Sequence, residues 1–552
     1  MRRRLLLLAS LAALLAAGSA RAASVCSTTC YQAPAGSGAL FMFSGHGWGH
    51  GIGMSQYGAW GYALHGWTYQ QILAHYYPGT TLATTPGSQI RVLLADKRKT
   101  LTISSTVPFT VVDGSGRTHT LAAGPVSFGP DLSLPVDGQA APQPLTAPLT
   151  FRAGPGGPLT LTRPYRGQIQ VDVVDGKLRA INIVALEQYL YGVVPAEMPS
   201  TWAPQALEAQ AIAARSYALA TRLAAAPYDV YSDTRSQMYL GLSVESPATS
   251  AAVDATKHQV VMFNGKIATT YFSSSSGGET SSIADAWGVA PLPYLVSVPD
   301  PFDTLSPYHN WGPVPVTAQK IASALKVKGS VMDASTTLNA SGRVSAIDLL
   351  TQLPLTGLTQ TAVPGGTLQG ALGLRSTWFS VGVLSLVAPS PSVPVSYGSS
   401  VALTGLARGV TGVALETRPP NGAWQAVGPV TPAPDGTVAL TEQPQSTTDY
   451  RLATSAAAAA YVRIKVAPAV QLSTTPTPGA VSGAEQPVLA AAPVTVQQQA
   501  PDGTWTTLAT GAVAADGSFS VPVQLAAGST YRVVVAPGQG WAAATAPLTA
   551  VG

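Results

Sequence analysis

The sequence predicts an α+β protein, a mixed domain over residues 41–386 followed by two all-β modules. Three observations carry that expectation. Residues 88–186 alternate apolar and polar side chains, with turns marked at Asp113-Gly and Asp175-Gly, which is the pattern of half-buried strands. Residues 205–222 are rich in Ala and Leu and follow Pro204, which suits a first helical position where a missing N–H costs nothing. From Pro389 the texture turns to Val, Thr, Ser and Pro, and a pattern repeats at a constant offset of 81 residues.

The chain opens with Met1 and three arginines, then an Ala/Leu run, then Ala20-Arg-Ala22. A basic head, an apolar middle and a small-residue exit make residues 1–22 a secretory signal peptide. The apolar run is short for a membrane span, and an uncleaved anchor is the alternative. The formal charge is +4, and Arg2, Arg3, Arg4 and Arg21 leave with the signal while no acid does. The remaining chain is near neutral, so there is no electrostatic footprint for nucleic acid. A secreted or envelope-associated protein without a stable membrane span is expected. Cys26 and Cys30, the only cysteines, can close a local disulfide in an oxidising compartment. Residues 23–40 read as a loose entry segment.

An apolar strand is expected at 40–43, followed by a loop of Gly, His and Trp. Helices follow at 55–64 and from a Thr68 cap to His75, where Pro78-Gly79 stops the second. In the loop, His46, His50 and Gln56 are candidate hydrogen-bonding groups for a ligand, and Trp48 offers a flat ring. Its glycines would let a ligand approach the backbone. The aromatics after Tyr57 recur at helical spacing and read as core. His46 and His50 are four apart, a zinc-binding spacing on a helix, but Gly-Trp-Gly between them argues against one. No metal and no cofactor is assigned.

Glu197 stands out in a chain with only 26 acidic residues. Pro195 and Pro199 bracket it, which reads as a stiffened loop at the mouth of the helix beginning at Pro204. Leu207, Ala211, Ala214 and Ala218 give that helix a buried stripe. Val193, Val194, Met198 and Trp202 could form an apolar pocket that raises the Glu197 pKa, against the pull of the helix start downstream. A structural carboxylate, capping the helix or pairing with Arg215, fits the same residues. Glu208 lies in the helix and Glu187 is expected to end a strand; Asp233 or Asp285 could fold nearby. Gln210 and Arg215 read as groups that position a ligand or hold the Glu197 loop. In the run 273–276, Ser275 and Ser276 are expected to line a polar groove, since no nucleophile elbow surrounds them.

The C-terminal repeat matches Trp424, Asp435-Gly and Tyr450-Arg with Trp505, Asp516-Gly and Tyr531-Arg. Two immunoglobulin-like β-sandwich modules, 388–467 and 468–552, explain it. Trp424 and Trp505 read as core or strand-edge residues.

The segment Glu187-Gln-Tyr-Leu-Tyr-Gly-Val-Val-Pro-Ala-Glu197-Met-Pro, with Trp202 and Ala-Gln210-Ala-Ile-Ala-Ala-Arg215-Ser-Tyr217, resembles the SpoIID/LytB family (stage II sporulation protein D and the amidase enhancer LytB). So do Gly45-His46-Gly-Trp48-Gly-His50, Tyr271-Phe-Ser-Ser-Ser-Ser-Gly277-Gly278, Trp287-Gly, Pro293-Tyr294-Leu, Ser341-Gly-Arg343-Val and Leu372-Gly-Leu-Arg375-Ser-Thr-Trp-Phe379. The resemblance covers about residues 40–386 and implies a SpoIID/LytB-like catalytic domain. It implies lytic transglycosylase action on peptidoglycan glycan strands, stripped or not of stem peptides, with Glu197 as the single acid and then base. The alternative it leaves is a non-catalytic, glycan-binding enhancer of a cell-wall amidase, and retention of Glu197 in its Pro-bracketed setting favours the enzyme. Some members carry a metal-associated Phe-His-Ser motif; here Ser273 stands at the His position. A purely adhesive envelope protein leaves these motifs unexplained. In most members the Gly-His-Gly-Trp segment follows the Leu-Arg-Ser strand, whereas here it opens the domain. That order looks like a circular permutation and requires the segments near Phe41 and Phe379 to lie side by side.

Overall fold

The computed structural model describes residues 22–548 apart from 28, 355–356, 390–391 and 474–478. The expected signal peptide lies outside the described residues but for Ala22.

Strand β1, Leu40–His46, carries the apolar run Leu-Phe-Met-Phe, buried on both faces as in a central strand. It pairs antiparallel with β2, Asn310–Thr317, and with β3, Phe379–Val387. Val383 stands opposite Phe41 and Phe379 opposite Gly45, the adjacency that the rearranged motif order requires. β3 pairs in turn with β4, Val401–Arg408, so one sheet runs from the mixed domain into the first C-terminal module. Alternate residues serve two cores. Phe41, Phe43, Phe379 and Val383 pack with Ile347 and Leu349, while Leu40, Met42, Leu384 and Leu386 pack with Leu403, Leu415 and Leu452. The boundary expected at 386–388 therefore lies at the end of a strand that both units share.

The last module is a two-sheet sandwich. Val481, Phe519 and Val521 from one sheet meet Val494, Val496, Val533 and Val535 from the other. The repeated residues recur as a stacked pair: Arg451 lies 4.0 Å over Trp424, and Arg532 lies 4.1 Å over Trp505. Both rings are thus covered by a guanidinium of their own module.

Residues 22–33 are not loose. Ala22–Ala23 and Tyr31–Gln32 add short strands to the first module. The Glu416 carboxylate accepts from the Ser24 hydroxyl and from the Val25 and Cys26 N–H groups. Cys26 and Cys30 are bonded to each other.

Residues 89–185 form the expected strand run, centred on a seven-stranded sheet. Asp175 and Gly176 both take positive φ, 50° and 68°, which is the two-residue hairpin turn that Asp-Gly favours. The strand Lys177–Ala185 then runs directly into a helix. The helices that frame the site are α1 (Gln56–Leu64), α2 (Tyr69–Tyr76), α3 (Leu186–Glu197) and α4 (Pro204–Ala220). Ser55 caps α1 by accepting from the Gly58 N–H, and Thr68 with Gln71 forms a capping box on α2. α4 is buried nearly all round rather than along a stripe. Ala211, Ala214 and Ala218 face the sheet core, while Ala209, Ile212 and Ala213 face the α1–α2 core. Alanines let both layers approach the helix closely.

Candidate active site

Glu197 is the last residue of α3, not part of a loop, and Glu187 lies in the first turn of the same helix rather than ending a strand. Pro195 lacks the N–H whose loss usually breaks a helix, yet it sits within the final turn of α3. The consequence is electrostatic: the negative end of α3, not the start of α4, is the helix end Glu197 itself occupies.

The Glu197 carboxyl spans two elements. Oε1 accepts the Met238 N–H at 3.0 Å and Oε2 accepts the Gln56 side-chain amide at 3.3 Å. Burial raises its pKa above the usual carboxylate value, and these two donors oppose the rise. Val193, Val194, Met198 and Trp202 are all buried, as an apolar surrounding for this group requires. Desolvation outweighs the donors. Among the described residues Glu197 has no ion-pair partner; Arg215 pairs elsewhere. Glu208 accepts from Gln205, Asp233 pairs with Arg235, and Asp285 accepts from Ser341. None of these acids is hydrogen-bonded to Glu197. The Tyr189 and Tyr217 hydroxyls both feel its charge, which helps to raise their pKa values after burial.

Gln56 therefore reaches the carboxyl, as a residue at the first position of α1. Gln210 is fully buried, and neither amide atom has a partner among the described residues. Arg215 is fully buried and grips Glu187 with both arms at 3.0 and 2.6 Å. Its guanidinium also donates to the Gln259 and Val253 carbonyls. It clamps the start of α3 and is not free to meet a ligand.

Ser275 and Ser276 are not groove residues either. Both are buried, and their hydroxyls donate to Asp303 and Asp300 at 2.7 Å each. Spacing cannot show that a hydroxyl is already engaged by an acid about 25 residues downstream. Asp303 also accepts from Ser55, His309 and the Ser276 and Gly277 N–H groups. It binds the 273–277 segment to the cap of α1 and so supports Gln56. The acids at 300 and 303 share a signal with Glu197: scarce carboxylates beside prolines, here Pro299 and Pro301.

The glycine loop is filled by protein. A Cβ at Gly51, whose φ is +74°, would strike the Arg343 guanidinium. One at Gly47 would sit 2.7 Å from the Ser275 and Ser276 carbonyl oxygens. The expected ligand approach to this backbone is thus replaced by close packing of the loop on the 273–277 segment. His50 is held neutral, its pKa lowered to about 4 by burial and by the Arg343 charge. Its Nδ1 accepts the Ile52 N–H at 3.0 Å, and a bond to the Phe272 backbone opposes the shift. It staples the loop. His46 packs against Trp378 at 4.9 Å, away from the His50 contacts. Trp48 is 43% exposed, edge-on to Tyr308 at 4.4 Å, with Arg375 over both rings. Of the residues expected to meet a ligand, Trp48 is the one that offers an open ring.

Asp300 carries a testable pH effect. Its pKa is pushed up to about 7, by burial first and then by the Asp303 charge, against hydrogen bonds from Ser276 and Tyr76. Unfolded, the group titrates at 3.8. The stability it contributes is fully present below that value and is lost as pH rises through about 7, because the native state holds the proton longer. Asp300→Asn is expected to flatten the fall in the urea midpoint between about pH 4 and pH 7. An unchanged slope would assign the dependence to another group.

Among the described residues, no helix is long and apolar enough to cross a membrane. Residues 174–263, the stretch from the last hairpin through α3 and α4, match the stage II sporulation protein family, SpoIID. An uncharacterised Brachyspira hyodysenteriae protein is 37% identical over 137 residues, 24% of this chain and 37% of that protein. The amidase enhancer of Bacillus subtilis is 38% identical over 122 residues, 22% of this chain and 16% of that protein. Stage II sporulation protein D of Bacillus subtilis is 28% identical over 218 residues, 36% of this chain and 61% of that protein. The matches thus span less than two thirds of each relative's length. The chain thus matches the SpoIID family over residues 174–263 and is similar in part to an amidase enhancer and to a stage II sporulation protein D.

Proposed function

We propose that this protein is a secreted lytic transglycosylase that cleaves peptidoglycan glycan strands, with Glu197 as acid and then base. The observation that supports this most is the state of Glu197: a half-buried carboxyl with a raised pKa, two neutral donors and no countercharge among the described residues. Such a group keeps its proton to higher pH than an ordinary glutamate, as a general acid must. The proton passes to the glycosidic oxygen as the C1–O bond breaks. The carboxylate then takes the proton of the muramoyl C6 hydroxyl, whose oxygen bonds to C1 and closes a 1,6-anhydro ring. One carboxyl returns to its starting state, so no second acid is needed. A hydrolase would instead want a partner carboxylate across the bond. The Gln56 amide and Met238 N–H steady the anion formed midway.

A second reading has its own support in the 38% identity to an amidase enhancer. In that reading the same site binds glycan and stimulates a cell-wall amidase. Incubating the mature protein with purified peptidoglycan, with and without an amidase, separates the two. Release of glycan fragments without amidase supports the transglycosylase. Faster release of stem peptides with no glycan fragments supports the enhancer.

A further inference from the structure

Trp287 ends a short helix, Ile283–Trp287, and 45% of its surface is exposed. Exposed tryptophans are common enough to need no explanation when they stand alone. This one is built in from beneath. Ser282 caps the helix by accepting the Asp285 N–H at 3.0 Å. The Asp285 carboxylate accepts the Ser341 hydroxyl, and the Asp285 carbonyl accepts the Asn339 amide at 3.0 Å. Gly288 closes the helix in a left-handed conformation. The ring itself meets Tyr271 edge-on at 4.8 Å and His50 at 5.3 Å. His50 is neutral and stapled to the loop, so the ring rests on fixed, uncharged neighbours. From Tyr271 the next ring is Tyr217, at 5.6 Å, and Tyr217 lies within the field of Glu197. Tyr217, Tyr271 and Trp287 therefore form a continuous row of ring contacts that ends at an open, immobilised tryptophan.

We propose that Trp287 is a sugar-stacking platform of the Glu197 site, binding a saccharide unit of the glycan chain beyond the ones that react. This rests on the glycan-cleaving reading above. An apolar ring with few rotatable bonds loses little entropy when a pyranose face covers it. Because the helix is pinned before any ligand arrives, that binding needs no local ordering. Energy gained at a remote unit helps to hold the scissile bond over Glu197. The ring selects for chain length, so short glycans bind without using it.

Binding in the Glu197→Gln background tests this without turnover. Calorimetric titration with a soluble β-1,4-linked N-acetylglucosamine hexasaccharide, and with the disaccharide, is compared with and without Trp287→Ala and Trp287→Tyr. Circular dichroism confirms that each variant is folded. The expected result is about tenfold or greater weakening of hexasaccharide binding by Trp287→Ala. Trp287→Tyr should recover most of the affinity, and disaccharide binding should be unaffected. Unchanged hexasaccharide affinity in Trp287→Ala overturns the platform while leaving the proposed function of the Glu197 site standing. So does an equal loss for both saccharides, which would mark a merely structural role. If the Glu197→Gln parent binds no glycan at all, both the platform and the glycan reading fail.

Discussion

Glu197→Gln is expected to reduce glycan cleavage by about 10³-fold or more, because one substitution removes the group proposed as both acid and base. The loss is not expected to come from unfolding. Gln keeps the volume of Glu, and its amide oxygen can still accept the Met238 N–H. Gln56 can turn its amide to accept from the new N–H, since its present bond uses only one of its two polar ends. The stability effect has a definite sign. A carboxyl with a raised native pKa stabilises the fold below its unfolded value of 4.5 and loses that contribution as pH rises through the raised value. The Gln variant should therefore be as stable as the wild type near neutral pH, or more so, by about 1 kcal/mol at most. Urea unfolding at two pH values beside a cleavage assay checks both halves. In the wild type, the rate should fall as pH rises past the raised Glu197 pKa, not at the lower value of an exposed carboxyl. An inactive variant that is also unfolded would remove the catalytic interpretation.

Arg215→Ala should have the largest effect on stability, a loss of about 3–5 kcal/mol. The guanidinium is fully buried and holds the Glu187 carboxylate, itself only 12% exposed, through two bonds. Removing it leaves the Glu187 anion without its guanidinium, takes one donor from each of the Gln259 and Val253 carbonyls and leaves an empty volume beside α3. Arg215→Lys keeps the charge but not the fork, and should recover only part of the loss. Urea denaturation at pH 7 measures both. A change under about 1 kcal/mol in Arg215→Ala would mean that the clamp contributes little to the fold. The coupling to the site follows from topology. Glu187 opens the 12-residue helix that Glu197 closes, so loosening its first turn also frees the carboxyl. Arg215→Lys should accordingly lose some cleavage activity even where it remains folded.

What the sequence revealed, and what it hid, follows from the range of each interaction. The caps of α1 and α2 were legible because Ser55 and Thr68 act on residues three positions away. The Asp175-Gly turn and the 81-residue repeat were legible for the same local reason. The burial of Ser275 and Ser276 was not, because their partners Asp303 and Asp300 lie well downstream and nothing local marks a hydroxyl as engaged. Glu197 was found by its scarcity and its prolines, yet Pro195 disguised its helix as a loop. Arg215 lay in the right motif and held the wrong glutamate: the partner is Glu187, one helix length from Glu197. The shared strand β3 shows the same limit. Its apolar residues fall on both faces, which signals burial of each, but cannot say that the two faces belong to different cores. The rearranged motif order, by contrast, stated a long-range contact outright, and β1 and β3 pair as it requires.

The central claim is that Glu197 alone runs the reaction. Mass spectrometry of the fragment ends from peptide-free glycan strands, after incubation with wild type and with Glu197→Gln, tests it most directly. The account predicts 1,6-anhydro-muramoyl ends from the wild type and none from the variant. Reducing ends from the wild type, or anhydro ends that persist in Glu197→Gln, would contradict it.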